Sequence, residues 1–320
     1  MAAVEMQAVL SNGDGTLRIS RTLRPTPKGT EVLVKVRSSG LNGADLLQVR
    51  GLYPPPPGWP EDIPGLEFAG EVVALGEQAS NTLLGKAVMG IAGGGAQSEF
   101  VCIEQSNLVP VPKGVELKAA GGIPETFFTA YDALFLQGGL TLGDRVCIHG
   151  GAGGVGTSAI QLARSAGAEV FCTVRNEDMH KKVQDLGCIT LSEEEFPGSG
   201  PYDIILELVG AKHLRSNLQE LQQLGRIVVI GVGAGATSDI DLRTLMAKRA
   251  CIRGSTLRSR HTAEKTILAR EFMRHLNPLF ASGTIKPIVD RYYSYKEASE
   301  AYDTFKKGGK FGKIILTWPT

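Results

Sequence analysis

The sequence predicts an α/β protein with two parts, an antiparallel barrel-like part and a doubly wound parallel sheet. Up to about residue 122 the strand-like runs are short, alternating and separated by turns, as in residues 31–37, 70–76 and 98–103. That spacing is typical of a β-rich barrel. From about residue 123, strand-like runs alternate with helical or loop segments, which indicates a parallel sheet. A chain of 320 residues is long enough for two domains.

The elements of the second half follow from its apolar runs. The predicted strands of the parallel sheet are residues 145–149, 169–174, 203–208, 226–231 and 250–254. Beyond the last of them, the pattern predicts a helix over 262–280, a strand over 288–292, a helix over 296–306 and a final strand over 313–317.

One glycine motif carries most of the functional information. Gly151, Gly153 and Gly156 form a G-x-G-x-x-G sequence between the predicted strand 145–149 and a predicted helix over 157–166. Glycines let the backbone approach a pyrophosphate closely, and the N-terminus of the next helix offers N–H groups to an anion. The motif alone is weak, but its position between a strand and a helix strengthens it. We therefore predict a dinucleotide site.

The residue after the second predicted strand indicates which dinucleotide binds. NAD sites place a carboxylate there to accept from the ribose 2′-hydroxyl, whereas a 2′-phosphate needs a cation. Here the strand ends at Arg175, whose guanidinium can pair with a phosphate. The sequence therefore predicts NADPH rather than NADH, although Glu177 and Asp178 follow closely.

Composition excludes several other classes of function. A net charge of +1 gives no field that would draw the chain to nucleic acid or to an acidic membrane. Five widely spaced cysteines suggest reduced, buried thiols in a cytoplasmic protein. The first residues lack the pattern of a secretion signal, and no apolar run is long enough to span a membrane.

P-loop, zinc-protease and serine-hydrolase motifs are missing. We expect His149 to pack beneath the glycine loop rather than to act in catalysis.

The chain resembles the medium-chain dehydrogenase/reductase superfamily, and within it the zinc-free quinone oxidoreductases of the p53-inducible type. This resemblance extends over nearly the whole chain. It implies a GroES-like catalytic domain formed by residues 1–122 and 260–320 and a Rossmann domain formed by residues 123–259. The segments that carry it are Leu41-Asn-Gly-Ala-Asp45, Gly51-Leu-Tyr-Pro-Pro-Pro-Pro-Gly58, Gly65-Leu-Glu67, Ile123-Pro-Glu-Thr126, the glycine loop and Leu257-Arg-Ser-Arg260.

The resemblance also implies that no metal takes part. Zinc-dependent members of the superfamily carry a cysteine and a histidine where this chain has Asn42 and Leu66. The cysteine-rich lobe that holds a structural zinc also has no counterpart here. Because both replaced positions lack a metal ligand, we expect hydride transfer to an electron-poor acceptor such as a quinone.

The resemblance assigns roles to individual residues. It places Asn42 and Thr129 beside the nicotinamide, and it makes Asn42 and Tyr53 the candidate catalytic residues. Tyr53 either hydrogen-bonds the cofactor or the acceptor, or only packs the polyproline loop. The cofactor-binding residues that it implies are Asn42, Tyr53, Thr129, Gly151, Gly153, Gly154, Val155, Gly156, Arg175, Gly231, Val232, Ser255, Thr256 and Leu257.

The resemblance also implies a homodimer paired through Rossmann edge strands near residues 227–235 and 250–254. At the adenosine end the chain departs from relatives. A lysine and a tyrosine that often help to hold the 2′-phosphate are missing. The position of the lysine falls on Asp178 or Met179, and that of the tyrosine on Leu191.

Two alternatives stay open at this point. Reduction of an activated alkene, such as an enoyl thioester, uses the same architecture and cofactor, so the fold does not separate it from quinone reduction. Some relatives are crystallins or bind RNA, and residues 243–261 hold six basic side chains. No aromatic residue interleaves that run, which disfavours base stacking and nucleic acid as a partner.

Overall fold

The computed structural model describes residues 4–319, so the first three residues examined for a signal lie outside it. The chain divides into two compact units. The first contains the residues up to Phe128 and those from Leu257 onward, and the second contains Thr129–Thr256. No helix among the described residues is both long and apolar enough to cross a membrane.

Fifteen strands are present within residues 4–319, numbered here in chain order. They are β1 (Glu5–Ser11), β2 (Leu17–Leu23), β3 (Glu31–Gly40), β4 (Glu67–Leu75), β5 (Ala87–Ile91), β6 (Phe100–Glu104), β7 (Leu108–Pro110), β8 (Arg145–His149), β9 (Glu169–Thr173), β10 (Ile189–Leu191), β11 (Tyr202–Glu207), β12 (Leu221–Val229), β13 (Cys251–Gly254), β14 (Val289–Ser294) and β15 (Lys313–Thr317).

Ten α-helices lie in the same described range. They are α1 (Gly43–Val49), α2 (Leu117–Ala120), α3 (Pro124–Tyr131), α4 (Gly154–Ser165), α5 (His180–Gln184), α6 (Leu214–Glu220), α7 (Leu242–Lys248), α8 (Thr262–Glu271), α9 (Asn277–Ala281) and α10 (Ala298–Lys307). A π-helical segment, Phe272–Leu276, joins α8 to α9, so the predicted helix over 262–280 is continuous but not α-helical throughout.

The first unit is built on an antiparallel sheet with strand order β14-β15-β3-β4-β5-β7, to which β6 adds by pairing with β3. Only the β14–β15 pair is parallel. Alternate residues of β3 point into a core of Val32, Val34, Val36, Phe68 and Leu316, all of them fully buried. The prediction of a β-rich, GroES-like part is therefore confirmed.

The second unit is a six-stranded parallel sheet with the order β10-β9-β8-β11-β12-β13. Strand β8 is central, and four of its five residues are buried, as expected for a strand covered on both faces. The chain starts at β8, moves outward to β10 and then crosses to β11 on the other side. This reversal leaves a switch point at the carboxyl ends of β8 and β11, where ligands bind in doubly wound folds. The predicted parallel sheet is thus confirmed.

Candidate functional site

The glycine loop connects β8 to α4 at the switch point. Gly150 adopts a left-handed φ of +77°, and Gly153 is the N-cap of α4 without a side-chain cap. A Cβ added to Gly156 would lie 2.4 Å from the Gly150 carbonyl oxygen, so only glycine lets the helix pack this closely against the loop. The first N–H groups of the helix have no partner within it. The loop is therefore built to cradle an anion.

A buried polar network lies beneath this loop. His149 Nδ1 is 3.0 Å from Thr173 Oγ1, which also accepts from the Gly150 N–H at 3.3 Å. On the other side, His149 Nε2 is 2.7 Å from Asn217 Oδ1. Asn217 Nδ2 in turn donates to Glu207 Oε2 at 2.8 Å. Because Asn217 Oδ1 must accept from His149, Nε2 carries a proton. Burial lowers the pKa of His149, which favours the neutral imidazole.

Glu207 extends the network to the loop after β11. Its Oε1 accepts from the backbone N–H groups of Val209 at 2.7 Å and Gly210 at 2.9 Å. Burial raises the pKa of Glu207, but His213, His149 and these backbone donors outweigh it, and the pKa is lowered overall. The loops that follow β8, β9 and β11 are therefore tied together beneath the surface.

Among the described residues, His149, Glu207 and His213 form a group close enough to hold a metal ion, with ligand atoms within 4.8 Å. However, both ring nitrogens of His149 already have hydrogen-bond partners. Its ring also stacks on that of His213 with centroids 4.4 Å apart, and parallel rings do not direct their lone pairs at a common point. We therefore assign this group to the support of the loops, and His149 lies fully buried beneath the glycine loop, as predicted.

Arg175 lies exposed just beyond β9. A second cation, Lys212, lies at the same carboxyl end of the parallel sheet. Lys212 follows β11, and its Nζ donates to both oxygens of Glu193 at 2.7 Å. The hydrogen bond from Lys212 and, more weakly, the charge of Arg175 lower the pKa of Glu193. Sequence reasoning missed Lys212, although its position one turn after a parallel strand was a usable signal.

In the first unit, a buried ion pair surrounds Asn42. Lys313 Nζ lies 2.6 Å from Glu67 Oε1, and it donates to Asn42 Oδ1 at 2.7 Å and to the Leu41 carbonyl at 2.6 Å. Asn42 Nδ2 donates to Glu67 Oε1 at 3.0 Å. Lys313 is 4% exposed and Glu67 is fully buried. All three donors of the ammonium are used.

Two further carboxyl groups lie near this pair, the fully buried Asp45 and the half-buried Glu125. Burial raises the pKa of Asp45 to about 6, although the Asn42 N–H and Lys313 oppose the shift. Burial, reinforced by the charge of Glu67, raises the pKa of Glu125 to about 8. Glu125 Oε2 is buried without a hydrogen-bond partner among the described residues. Glu125 is therefore a neutral carboxylic acid at pH 7, which sequence reasoning did not identify.

Arg258 contacts both the ring and the backbone of Tyr53. The guanidinium lies 4.8 Å from the centre of the Tyr53 ring and donates to the Tyr53 carbonyl at 2.9 Å. It also donates to the Gly93 carbonyl at 2.8 Å and to Gln48 Oε1 at 2.5 Å. Arg258 is 4% exposed. Arg258, one of the six basic residues in 243–261, is therefore buried against the polyproline loop and is not exposed to solvent.

The remaining predicted residues occupy varied environments. Gly231 packs on the Leu208 backbone, since a Cβ there would lie 2.2 Å from the Leu208 carbonyl oxygen. Ser255 Oγ donates to the buried Asp132 at 2.6 Å. Thr129 is buried on α3, and Val232 is 52% exposed. Asn42, Tyr53 and Leu257 belong to the first unit, and the other predicted cofactor residues belong to the second.

The thiols differ in part from the prediction. Cys147, Cys172 and Cys188 are buried, but Cys102 and Cys251 are half-buried. Cys251 is half-buried because β13 is the edge strand of the parallel sheet. All five are free thiols.

The fold and the glycine loop define a two-domain nucleotide-dependent type of oxidoreductase, and comparison with known proteins gives the family. Residues 28–113 match the alcohol dehydrogenase GroES-like domain, and residues 154–271 match the zinc-binding dehydrogenase family. The human quinone oxidoreductase is 31% identical over 91% of this chain and 90% of its own length. The chain belongs to the medium-chain dehydrogenase/reductase superfamily of oxidoreductases.

Solved structures agree with this assignment. An alcohol dehydrogenase superfamily protein from Novosphingobium aromaticivorans is 27% identical and superimposes with a TM-score of 0.88 over 99% of this chain and 100% of its own. The quinone oxidoreductase from Coxiella burnetii is 25% identical, with a TM-score of 0.81 over 99% of this chain and 100% of its own. A polyketide synthase of Aureobasidium melanogenum is 29% identical over 89% of this chain, which spans 13% of that much longer protein.

The raised pKa of Glu125 leads to a prediction for the pH dependence of stability. Its pKa of about 8 in the folded chain exceeds that of an unfolded glutamate, about 4.3. Between these values the folded chain binds more protons, so the free energy of unfolding falls as the pH rises. From about pH 6 to about pH 9, the wild type should lose roughly 2 kcal/mol more than Glu125→Gln in urea titrations.

The control is Glu300→Gln, which removes an exposed carboxylate from α10. It should follow the wild-type pH profile. Parallel profiles for the wild type and Glu125→Gln would contradict a neutral acid at this position.

Proposed function

We propose that this protein is an NADPH-dependent quinone reductase that transfers a hydride to a quinone without a metal or a flavin. The observation that carries the proposal is the set of contacts made by Lys313, in a chain of which 91% is similar to a quinone oxidoreductase. Its ammonium binds Glu67 Oε1 and Asn42 Oδ1, and Asn42 is one of the two positions at which zinc-dependent relatives would present a metal ligand.

The residues present do not fit a catalytic zinc. The Asn42 oxygen is taken by Lys313, and Leu66 is apolar and 1% exposed. A catalytic zinc needs three protein ligands and an open position for water or substrate. We therefore assign no step to a metal, and the acceptor must be electron-poor enough to take a hydride without Lewis-acid activation.

The residues of the second unit fit a dinucleotide. Gly156 lets α4 begin directly against the loop, since a Cβ there would collide with the Gly150 carbonyl oxygen, and Gly153, Gly154 and Val155 would hold the pyrophosphate at the start of this helix. When bound, NADPH supplies the hydride from its nicotinamide ring. Gly231, Val232, Ser255, Thr256 and Leu257 would hold the nicotinamide ribose, and Asn42 and Thr129 would orient the ring. Catalysis then comes mainly from proximity and orientation.

A second candidate function is reduction of an activated alkene such as an enoyl thioester. It is favoured by the similarity to polyketide synthases. Only the fold is shared with a further structure named as the CurK enoyl reductase, which is 24% identical.

We also propose that the protein is a cytoplasmic homodimer. The edge strand β13 is open on one side, and the adjacent Leu242 and Met246 are 64% and 75% exposed. Pairing of two edge strands would satisfy their free backbone groups. Five free thiols fit a reducing compartment.

Steady-state oxidation of NADPH with different acceptors tests the activity. Naphthoquinones and ortho-quinones should be reduced with a higher kcat/KM than crotonyl-CoA, and dialysis against EDTA should leave the rates unchanged. Faster turnover of crotonyl-CoA would favour the alkene reductase, and loss of activity with EDTA would contradict the metal-free chemistry.

Selectivity for NADPH should depend on Arg175. Because a hydrogen bond to a charged group is worth about 1.5–3 kcal/mol, Arg175→Asp should weaken NADPH binding by about that amount and spare NADH. Fluorescence titration with both cofactors measures the effect. The charge reversal Lys307→Asp, on the exposed end of α10, should change neither affinity. Equal losses for both cofactors would refute the role of Arg175.

Tyr53 should position the reactants and not donate a proton. Because Arg258 holds the ring and the carbonyl of Tyr53, Tyr53→Phe keeps the loop in place. It should lower kcat/KM by about tenfold or less, the loss of one hydrogen bond. Tyr53→Ala removes the ring from Arg258 and should cost more. If Tyr53→Phe abolished turnover while NADPH affinity persisted, the phenol would be a general acid.

A further inference from the structure

Two buried thiols face each other between neighbouring strands of the parallel sheet. Cys172 lies on β9, and Cys188 immediately precedes the edge strand β10, which pairs with β9 in parallel. Their sulfur atoms are 3.2 Å apart. A disulfide has an S–S length of about 2.05 Å, so the sulfurs need to move by only about 1 Å to reach it. Strand β10 has three residues and one partner, so the Cys188 side of the pair can make part of that movement while the Cys172 sulfur makes the rest.

The two thiols are not equivalent. Cys172 is fully buried, whereas Cys188 is 7% exposed. The hydrogen bond with Cys172 lowers the pKa of Cys188, with a smaller contribution from the charge of Arg164. The same hydrogen bond raises the pKa of Cys172. Cys188 is the more exposed of the two thiols, so its thiolate, the reactive form of cysteine, is the one that a small oxidant reaches, and Cys172 is positioned to resolve the product.

Cys172 also contacts the glycine loop. A Cβ added to Gly151 would lie 2.8 Å from Cys172 Sγ, so the sulfur lies directly against the Gly151 backbone. The Gly151 N–H donates to the carbonyl of Thr173, the next residue on β9. Interiors are closely packed, so even part of that movement at the Cys172 sulfur shifts its neighbours. A change at Cys172 is therefore transmitted to the loop.

We propose that Cys172 and Cys188 are a reversible disulfide site whose oxidation shifts the glycine loop and weakens dinucleotide binding. Hydrogen peroxide is the oxidant. The Cys188 thiolate attacks one peroxide oxygen, the O–O bond breaks, and the products are a sulfenic acid on Cys188 and hydroxide. Cys172 then attacks the sulfenic sulfur, and the S–S bond forms as water leaves. In sum, two thiols and one peroxide give one disulfide and two waters.

The bond itself is tested by peptide mapping of the full chain. Trypsin cuts at Arg175, Lys181 and Lys182, all of which lie between the two cysteines. After peroxide treatment, the peptides containing Cys172 and Cys188 should appear linked, lighter than their sum by two hydrogen atoms. Dithiothreitol should separate them. Of the five thiols, three should remain reactive in denaturant.

Variants identify the pair. Cys188→Ser and Cys172→Ser should each abolish the linked peptide. The matched control Cys251→Ser, on β13, should form it as the wild type does. The mapping of the wild-type protein stands even if a serine variant fails to fold. Five reactive thiols after peroxide, over-oxidation of Cys188 without a link, or links between other cysteines would each overturn the site.

The effect on the loop is measured separately and rests on the proposed dinucleotide binding. Titration of reduced and oxidised protein with NADPH should show affinity lower by about fivefold or more in the oxidised form, the range of an allosteric coupling. Dithiothreitol should restore it. Equal NADPH affinities of the reduced and oxidised protein would refute the effect on the glycine loop but not the disulfide itself. Absence of binding to the reduced protein would refute the proposed cofactor, and in that case the linked peptide alone decides the disulfide.

Discussion

The fully buried carboxylate of Glu67 is the constraint on which the first unit depends. An ionised carboxylate in the interior costs several kcal/mol unless it is paired and hydrogen-bonded. Glu67 receives the Lys313 ammonium from β15, the Asn42 amide ahead of α1 and the Glu125 N–H at the start of α3. These segments are far apart in the chain. The need to satisfy one charge therefore fixes how they meet.

The same requirement decides the chemistry of the neighbouring side chains. With Glu67 charged and paired to Lys313, a second negative charge at Glu125 is unfavourable, and the pKa of Glu125 rises to about 8. The second unit meets the requirement differently. There, Glu207 is satisfied by Asn217 and two backbone N–H groups. Its partners come from the loops at the switch point, so satisfying the carboxylate also positions the loops.

The sequence predicted the features that depend on local pattern, such as the parallel sheet, the glycine loop and the burial of His149. Errors arose where a strand is not apolar. β12 begins at Leu221 rather than at the predicted residue 226, because the polar Gln222 and Gln223 interrupt the apolar pattern of the strand. It ends at Val229 because the N–H groups of Ile230 and Gly231 both turn to the Glu207 carbonyl.

What local pattern could not predict are the contacts between distant segments. Lys313 looked like the first residue of a final strand, and nothing near it in the sequence points to Asn42, 271 positions away. Arg258 belonged to a basic run and is buried against Tyr53. The pairing of Cys172 with Cys188 depends on the register of β9 and β10. In each case the topology of the fold determines the partner, and the local sequence around either residue does not predict it.

The Lys313 ammonium also bears on the proposed metal-free reaction, because it lies where Asn42 would otherwise be free to bind. Zinc polarises its substrate because it keeps an open coordination position. The ammonium keeps no such position, since its three donors are taken by Leu41, Asn42 and Glu67. Its positive charge is paired with Glu67, so it cannot activate an alcohol or a carbonyl. In the proposed reaction, the electrophilicity must therefore reside in the acceptor, as it does in a quinone.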